Sequence, residues 1–327
     1  MKRLLGALLG AATLTFGLVG GAPAAKAQEG CTIALIPGLT TDAFYITMRK
    51  GAEMAAKAVG CELLFQGAPD FNPTTQVPVL QAVIARKPDA ILIAPTDRQQ
   101  LIAPLQQAVD AGIPVITVDT FIDDGKFQDG SGPGDFPLSY IATDNVLGGF
   151  LAGLALAKQI DAKGKVYVSN VKPGISTTDQ REEGFKAAMA QFPDVTVLET
   201  QFNDNDANKA ASQVQAVFAR NSDLAGVFGA NLFSAIGAAD GVKALGKTGE
   251  IRVVAFDAPT RIVDDLKSGL VDLAVAQHPA EIGYYGVMTA YAVIHGQSVP
   301  PQIGTGATIM TKDNIDDPDV MKFVYSD

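Results

Sequence analysis

Positive charge is the first thing this chain lacks. Its 327 residues carry 25 Lys and Arg against 35 Asp and Glu, a formal net charge of −10. Neutralising phosphates requires a Lys/Arg surplus on some face, so nucleic acid is excluded as a partner. Histidine is scarce too: His278 and His295 stand alone, without a companion at metal-ligand spacing. The two cysteines, Cys31 and Cys61, make neither a C-x-x-C pair nor a Cys/His cluster, so no metal and no cofactor are expected. No G-x-S-x-G elbow occurs. After residue 19 there is no second long apolar run to cross a membrane.

What is present begins with an export leader. Lys2 and Arg3 precede an apolar run from Leu4 to Val19, and Ala25-Lys26-Ala27 gives an A-x-A cleavage pattern. Residues 1–27 therefore read as a signal peptide, cleaved after about Ala27, and the mature chain as soluble and outside the cytoplasm. The alternative, a membrane anchor, is poorly served by about 16 residues against a core of roughly 30 Å. Gln28-Glu29-Gly30 is too polar for a lipobox ahead of Cys31. The remaining chain of about 300 residues predicts two lobes.

That mature chain alternates short apolar runs with longer amphipathic ones. Strands are predicted at 32–37, 62–66, 90–94, 115–118, 166–170, 195–200, 226–230, 251–256 and 273–276. Helices are predicted at 44–59, 74–86, 98–111, 145–160, 177–191, 206–219, 232–245, 260–268 and 279–295. Runs such as Ala90-Ile91-Leu92-Ile93-Ala94 are apolar throughout, as strands covered on both faces must be. Strict alternation with helices implies right-handed crossovers, hence an α/β fold of two doubly wound parallel-sheet lobes. The rhythm breaks between Thr120 and Tyr140, where a Gly-, Asp- and Pro-rich stretch is either a functional loop or a surface decoration.

Ligands of such sheets bind beyond the carboxyl ends of the strands. Those ends carry Thr41, Asp42, Phe44 and Tyr45, then Asp119, Asn231, Asp257 and Gln277, and Arg181 opens the helix after 166–170. Carboxylates, amides, one guanidinium and two rings suit a polyhydroxylated ligand, whose hydroxyls need donors and acceptors and whose C–H faces need aromatic cover. Singly, Asp119 or Asp257 reads equally well as a cap of the next helix. Cys31 and Cys61 each start a strand. If those strands are parallel neighbours, the two form a disulfide closing about 30 residues; otherwise they are two buried thiols.

The same segments resemble a known family. TDAFYITMRKGAEMAAK, PDAILIAPTD, IPVITVDT, ATDNVLGG, REEGF, VFGANLFSAIGA, VVAFDAPT and VAQHPAEIG, in that order and spacing, are similar to periplasmic sugar-binding proteins of the ribose-binding type. The resemblance implies a type I periplasmic binding protein in the periplasm, a monosaccharide or sugar-alcohol ligand, transient docking to an ABC permease, and a monomer without catalysis. It implies ligand contacts at Asp42, Phe44, Tyr45, Asp119, Arg181, Asn231, Asp257 and Gln277. Asn205 stands where the family often has an aromatic, Thr120 where an Arg usually follows the Asp, and the 121–138 loop is longer than usual. Hinge crossovers are implied near Ile141–Asp144, Gln277–Pro279 and Gly304–Gly306. These divide the chain into an N-terminal lobe, 28–142 plus 278–304, and a C-terminal lobe, 143–277 plus 305–327.

Other classes fit the sequence less well. Gly241-Val242-Lys243-Ala244-Leu245-Gly246-Lys247-Thr248 matches the P-loop pattern, but a helix precedes it and a strand follows, the reverse of what phosphate binding needs. Asp204-Asn205-Asp206-Ala207-Asn208 starts like a calcium loop, yet Lys209 replaces the turn Gly, and a helix N-cap is the better reading. A sensory protein serving a chemoreceptor or kinase, and an exported carbohydrate-active enzyme, are the alternatives that remain.

Overall fold

The computed structural model describes residues 30–123, 125 and 136–325. The leader at 1–27 and the glycine-rich run at 130–134 lie outside the described residues. The chain opens with β1 (Thr32–Ile36), α1 (Ala43–Val59), β2 (Glu62–Phe65), α2 (Pro73–Ala85), β3 (Ala90–Ile93), α3 (Ile102–Asp110), β4 (Val115–Val118) and β5 (Tyr140–Thr143). It continues with α4 (Asn145–Gln159), β6 (Gly164–Asn170), α5 (Ser176–Met189), β7 (Val195–Val197), β8 (Gln201–Phe202), α6 (Ala207–Arg220), β9 (Leu224–Gly229) and α7 (Leu232–Ala244). The rest is β10 (Arg252–Phe256), α8 (Thr260–Ser268), β11 (Leu273–Gln277), α9 (Pro279–Ile294), β12 (Gln302–Thr305), β13 (Ala307–Met310) and α10 (Pro318–Met321).

Two sheets result. The first has the order β12-β5-β4-β3-β1-β2 and is parallel throughout. The second runs β13-β11-β10-β9-β6-β7, with β8 also pairing β6. Every residue of β3, β4 and β5 is buried, as helices on both faces require. Local signals set the helix ends: Asp42, Asn72, Asp144, Asp206 and Asn231 cap α1, α2, α4, α6 and α7 with side-chain acceptors, and Gly60 ends α1 at φ 74°.

The chain passes between the sheets three times: after β5, after β11, and between β12 and β13. The last passage departs from the all-parallel expectation. β12 leaves the first sheet at its carboxyl end and continues, without a crossover helix, into the matching end of the second. β13 therefore runs antiparallel to β11. The expected strand at 195–200 shortens to β7, and β5, β8, β12 and β13 lie outside the predicted set. Cys31 and Cys61, flanking the Thr32–Glu62 register pair of β1 and β2, are joined as a disulfide with Cα atoms 4.5 Å apart.

The helix α7 ends at Ala244, and Gly246 follows at φ 67°, so the P-loop-like run is a helix terminus leading into β10. Asp206 caps α6 through its own carboxylate, which disposes of the calcium-loop pattern.

Candidate functional site

Where the carboxyl ends of the two sheets face each other lies a narrow cleft of about 50 Å³. Asp42, Phe44, Tyr45, Asp119, Arg181, Asn205, Asn231, Asp257 and Gln277 all line it. Thr41 does not; it is exposed, one residue before the α1 cap. Thr120, beside Asp119, is buried and turned away, its hydroxyl donating to the Pro95 carbonyl at 2.7 Å.

From the first sheet, α1 supplies Asp42 at its cap and Phe44 and Tyr45 in its first turn. The Asp42 carboxylate accepts the Phe44 N–H at 2.8 Å. The two rings meet edge to face at 5.1 Å, and Phe44 also meets Tyr325 at 5.8 Å. The Tyr45 hydroxyl donates to Asp119 Oδ2 at 2.7 Å, and Tyr140 holds the Asp119 carbonyl at 2.8 Å. Asp119 sits at φ 63°, a left-handed conformation that turns its carboxylate off the end of β4.

The second sheet carries a denser network. Arg181 is buried; its Nε donates to Asn145 Oδ1 at 2.8 Å and its Nη1 to the Ala230 carbonyl at 3.0 Å. Its guanidinium lies 3.9 Å over the Phe256 ring and 4.0 Å from Asp257. Asp257, at φ 79°, accepts Gln277 Nε2 at 2.7 Å, the Tyr325 hydroxyl at 2.9 Å and the Leu232 N–H at 2.9 Å. It thus caps a helix, but α7 rather than the α8 that follows it, while Asp119 caps none. Asn231 joins Asn205 at 2.7 Å and accepts the Ser234 N–H at 3.0 Å.

Burial dominates the electrostatics. It raises the Asp42 carboxyl from 3.8 to about 7, helped by Asp257 and Asp119 and opposed by the Phe44 N–H and Arg181. It raises Asp119 to about 6, against the pull of Arg181 and the Tyr45 hydroxyl. It lifts Tyr45 and Tyr325 well above the usual phenol range, so both remain donors. Three carboxyl groups share one guanidinium, and the weakened acidity of Asp42 and Asp119 relieves the imbalance.

Matching a family model described as periplasmic binding protein domain over residues 33–298 identifies the lineage. The chain belongs to the periplasmic binding protein family. It is 30% identical over 288 residues to the ribose import binding protein RbsB of Escherichia coli, covering 88% of this chain and 93% of that protein. A D-ribose/D-allose-binding protein of Pseudomonas aeruginosa is 30% identical over 303 residues, covering 91% of this chain and 92% of that protein. An ABC transporter solute-binding protein of Agrobacterium vitis, solved with α-D-tagatopyranose bound, superposes with a TM-score of 0.89 and 70% identity. That superposition covers 91% of this chain and 100% of the other. The two-lobed α/β architecture is that of type I periplasmic binding proteins.

Outside the lining, two further contacts join residues of the two halves. The Phe121 N–H donates to Ser176 Oγ at 3.1 Å, and Arg98 lies 3.6 Å from Asp179. His278 keeps clear of the lining: it stacks on Phe323 at 3.6 Å and bonds Thr308 and Glu281. The cleft also recruits Leu39, Phe71, Val171, Ile175, Thr177 and Thr178, beyond the strand-end set. Thr177 and Thr178 had a signal, since they stand four and three residues before Arg181 on one helix face. Tyr325 had none: it follows α10 in a stretch without periodicity. Among the described residues no helix is long and apolar enough to cross a membrane, and no cluster of three or more metal-ligating side chains forms.

Proposed function

We propose that this protein is an exported, non-catalytic solute-binding protein that captures a monosaccharide or sugar alcohol in the interlobe cleft and delivers it to an ABC permease. The observation that carries this is the convergence of carboxylates, amides, a pinned guanidinium and two edge-to-face rings in one cleft. Each hydroxyl of a sugar needs a donor and an acceptor, and this lining offers both. Ribose, allose and tagatose in the relatives' names support a neutral sugar.

In this reading Asp42, Phe44, Tyr45, Asp119, Arg181, Asn205, Asn231, Asp257 and Gln277 are the ligand contacts. Asp119 Oδ1 and Asp42 Oδ2 take ligand hydroxyls, Arg181 donates its remaining N–H groups, and Phe44 and Tyr45 cover the ring. The lobes are 28–142 with 278–304 and 143–277 with 305–327. They open about the three passages and close over ligand, a hinge repertoire in which differential contact sets the populations. The leader is cleaved after about Ala27, the mature protein is a periplasmic monomer, and the permease recognises the closed form.

A thermal-shift screen of the mature protein against pentoses, hexoses and linear polyols tests this. Ligand at 100 times its Kd adds about 2.7 kcal/mol, several degrees at this size. Asp119→Ala is expected to weaken the best sugar by about 10- to 150-fold, the worth of a charge-assisted hydrogen bond. A wild-type protein that none of these compounds stabilises overturns the proposal.

A further inference from the structure

We propose that Thr178 reads one hydroxyl of the ligand and thereby sets which sugar the cleft prefers; the inference rests on the sugar-binding function above. Thr178 and Arg181 share a face of α5, and both line the cleft. Thr178 is 2% exposed, and its Oγ1 is buried with no hydrogen-bond partner. A helical threonine ordinarily returns its hydroxyl to a carbonyl three or four residues back. Thr47 does so, donating to the Ala43 carbonyl at 2.8 Å. Thr178 makes no such bond, although the Ile175 carbonyl behind it accepts the Asp179 N–H at 3.0 Å.

Among the described residues, the other side-chain atoms orphaned in this way include Thr117 Oγ1, Ser139 Oγ and Tyr167 Oη, none of which lines the cleft. Thr178 Oγ1 shares the cleft with one further orphan, Gln277 Oε1. The orientation of Gln277 follows from its neighbour: the Asp257 carboxylate accepts, so the amide nitrogen faces it and Oε1 is left needing a donor. Buried polar atoms are almost always paired, and a bound polyol completes both. The Thr178 hydroxyl both donates and accepts, so its partner is a sugar O–H, and a C–H at the same carbon leaves it unsatisfied.

The test is calorimetric titration of wild type, Thr178→Val and Thr178→Ser with the best sugar of the screen and each of its monodeoxy derivatives. Wild type is expected to lose at least tenfold in affinity on the derivative lacking the hydroxyl read by Thr178. In Thr178→Val that one penalty collapses, because the parent sugar binds about tenfold more weakly and the deoxy sugar does not; Thr178→Ser restores it. Ligand-free Thr178→Val melts at or above wild type, since an unpaired buried hydroxyl is gone. Where the valine variant fails to fold, Thr178→Ala is read by the same ratio. Unchanged deoxy penalties in the valine or alanine variant overturn the assignment while leaving the sugar-binding function standing. A wild-type protein that binds no sugar overturns both, and does so before any variant is made.

Discussion

Asp119 and Asp257 occupy the same place in two sheets. Position by position, β4 of the first sheet corresponds to β10 of the second, and each aspartate follows its strand with a positive φ. Their surroundings then diverge. Asp257 accepts three protein donors and faces Arg181, whereas the Asp119 carboxylate accepts one, from Tyr45. The helix pairs beside them are alike: Gly51 and Gly283 bring α1 against α9 so closely that a Cβ on either would overlap a backbone carbonyl, and Gly149 and Gly184 do the same for α4 and α5. The scaffold is repeated, and its chemistry is divided. One aspartate is committed to holding the site together; the other keeps an oxygen free.

The sharpest way to break that comparison is to remove each carboxylate in turn. Asp257→Ala strands the Leu232 N–H, Gln277 and Tyr325 and takes from Arg181 the carboxylate that lies 4.0 Å from it. It is expected to cost about 3–5 kcal/mol in chemical denaturation. Asp119→Ala leaves one tyrosine hydroxyl behind and is expected to cost under about 1.5 kcal/mol, with its damage confined to binding. Equal losses of stability in the two variants would erase the distinction.

A pH series extends the contrast to Asp42. Its folded midpoint of about 7 lies above the ordinary 3.8, so the folded state holds the proton that the unfolded state releases. Stability from this group is therefore intact below about pH 4 and falls as pH rises to about 7, a loss of about 4 kcal/mol by pH 8. Asp42→Asn keeps the helix cap and deletes the charge. It should raise the ligand-free melting temperature at pH 8 and leave it nearly unchanged at pH 4. A pH-independent difference would contradict this account.

The smallest effect on sugar binding concerns a staple that only the first sheet has among the described residues. Reducing Cys31–Cys61, whose sequence separation is 30, is expected to cost about 3–4 kcal/mol of global stability in the loop-entropy account. It should leave sugar affinity unchanged, because the bridge joins the amino ends of β1 and β2, opposite the cleft. A changed affinity would mean that the two ends of the sheet are coupled.

Most of this arrangement was legible beforehand for a stated reason. Fully apolar strands between amphipathic helices leave little ambiguity about sheet class, and cleft-lining residues fall at strand ends, where Asp119, Asn231 and Asp257 interrupt the apolar pattern at once. The passage strands escaped because they lack that contrast: β12 and β13 sit in a glycine-punctuated stretch, Gln302 to Met310, and β5 runs almost directly into α4. Residues acting from behind the lining were invisible for a different reason. Tyr325 reaches Asp257 across 68 positions of chain, and Asn145 reaches Arg181 across 36, separations that carry no local signature.

The three passages also bear on the order of folding. α9 covers the first sheet against α1, more than 200 residues earlier, and β12 completes that sheet's edge only at residues 302–305. Neither half can close its core from a partial chain, so the contacts that matter most are also the most distant in sequence. Such topologies fold slowly, because a long loop must be closed before any contact rewards it. Under the proposed export that delay is useful: there is little native structure to undo while the tail is still on the wrong side of the membrane.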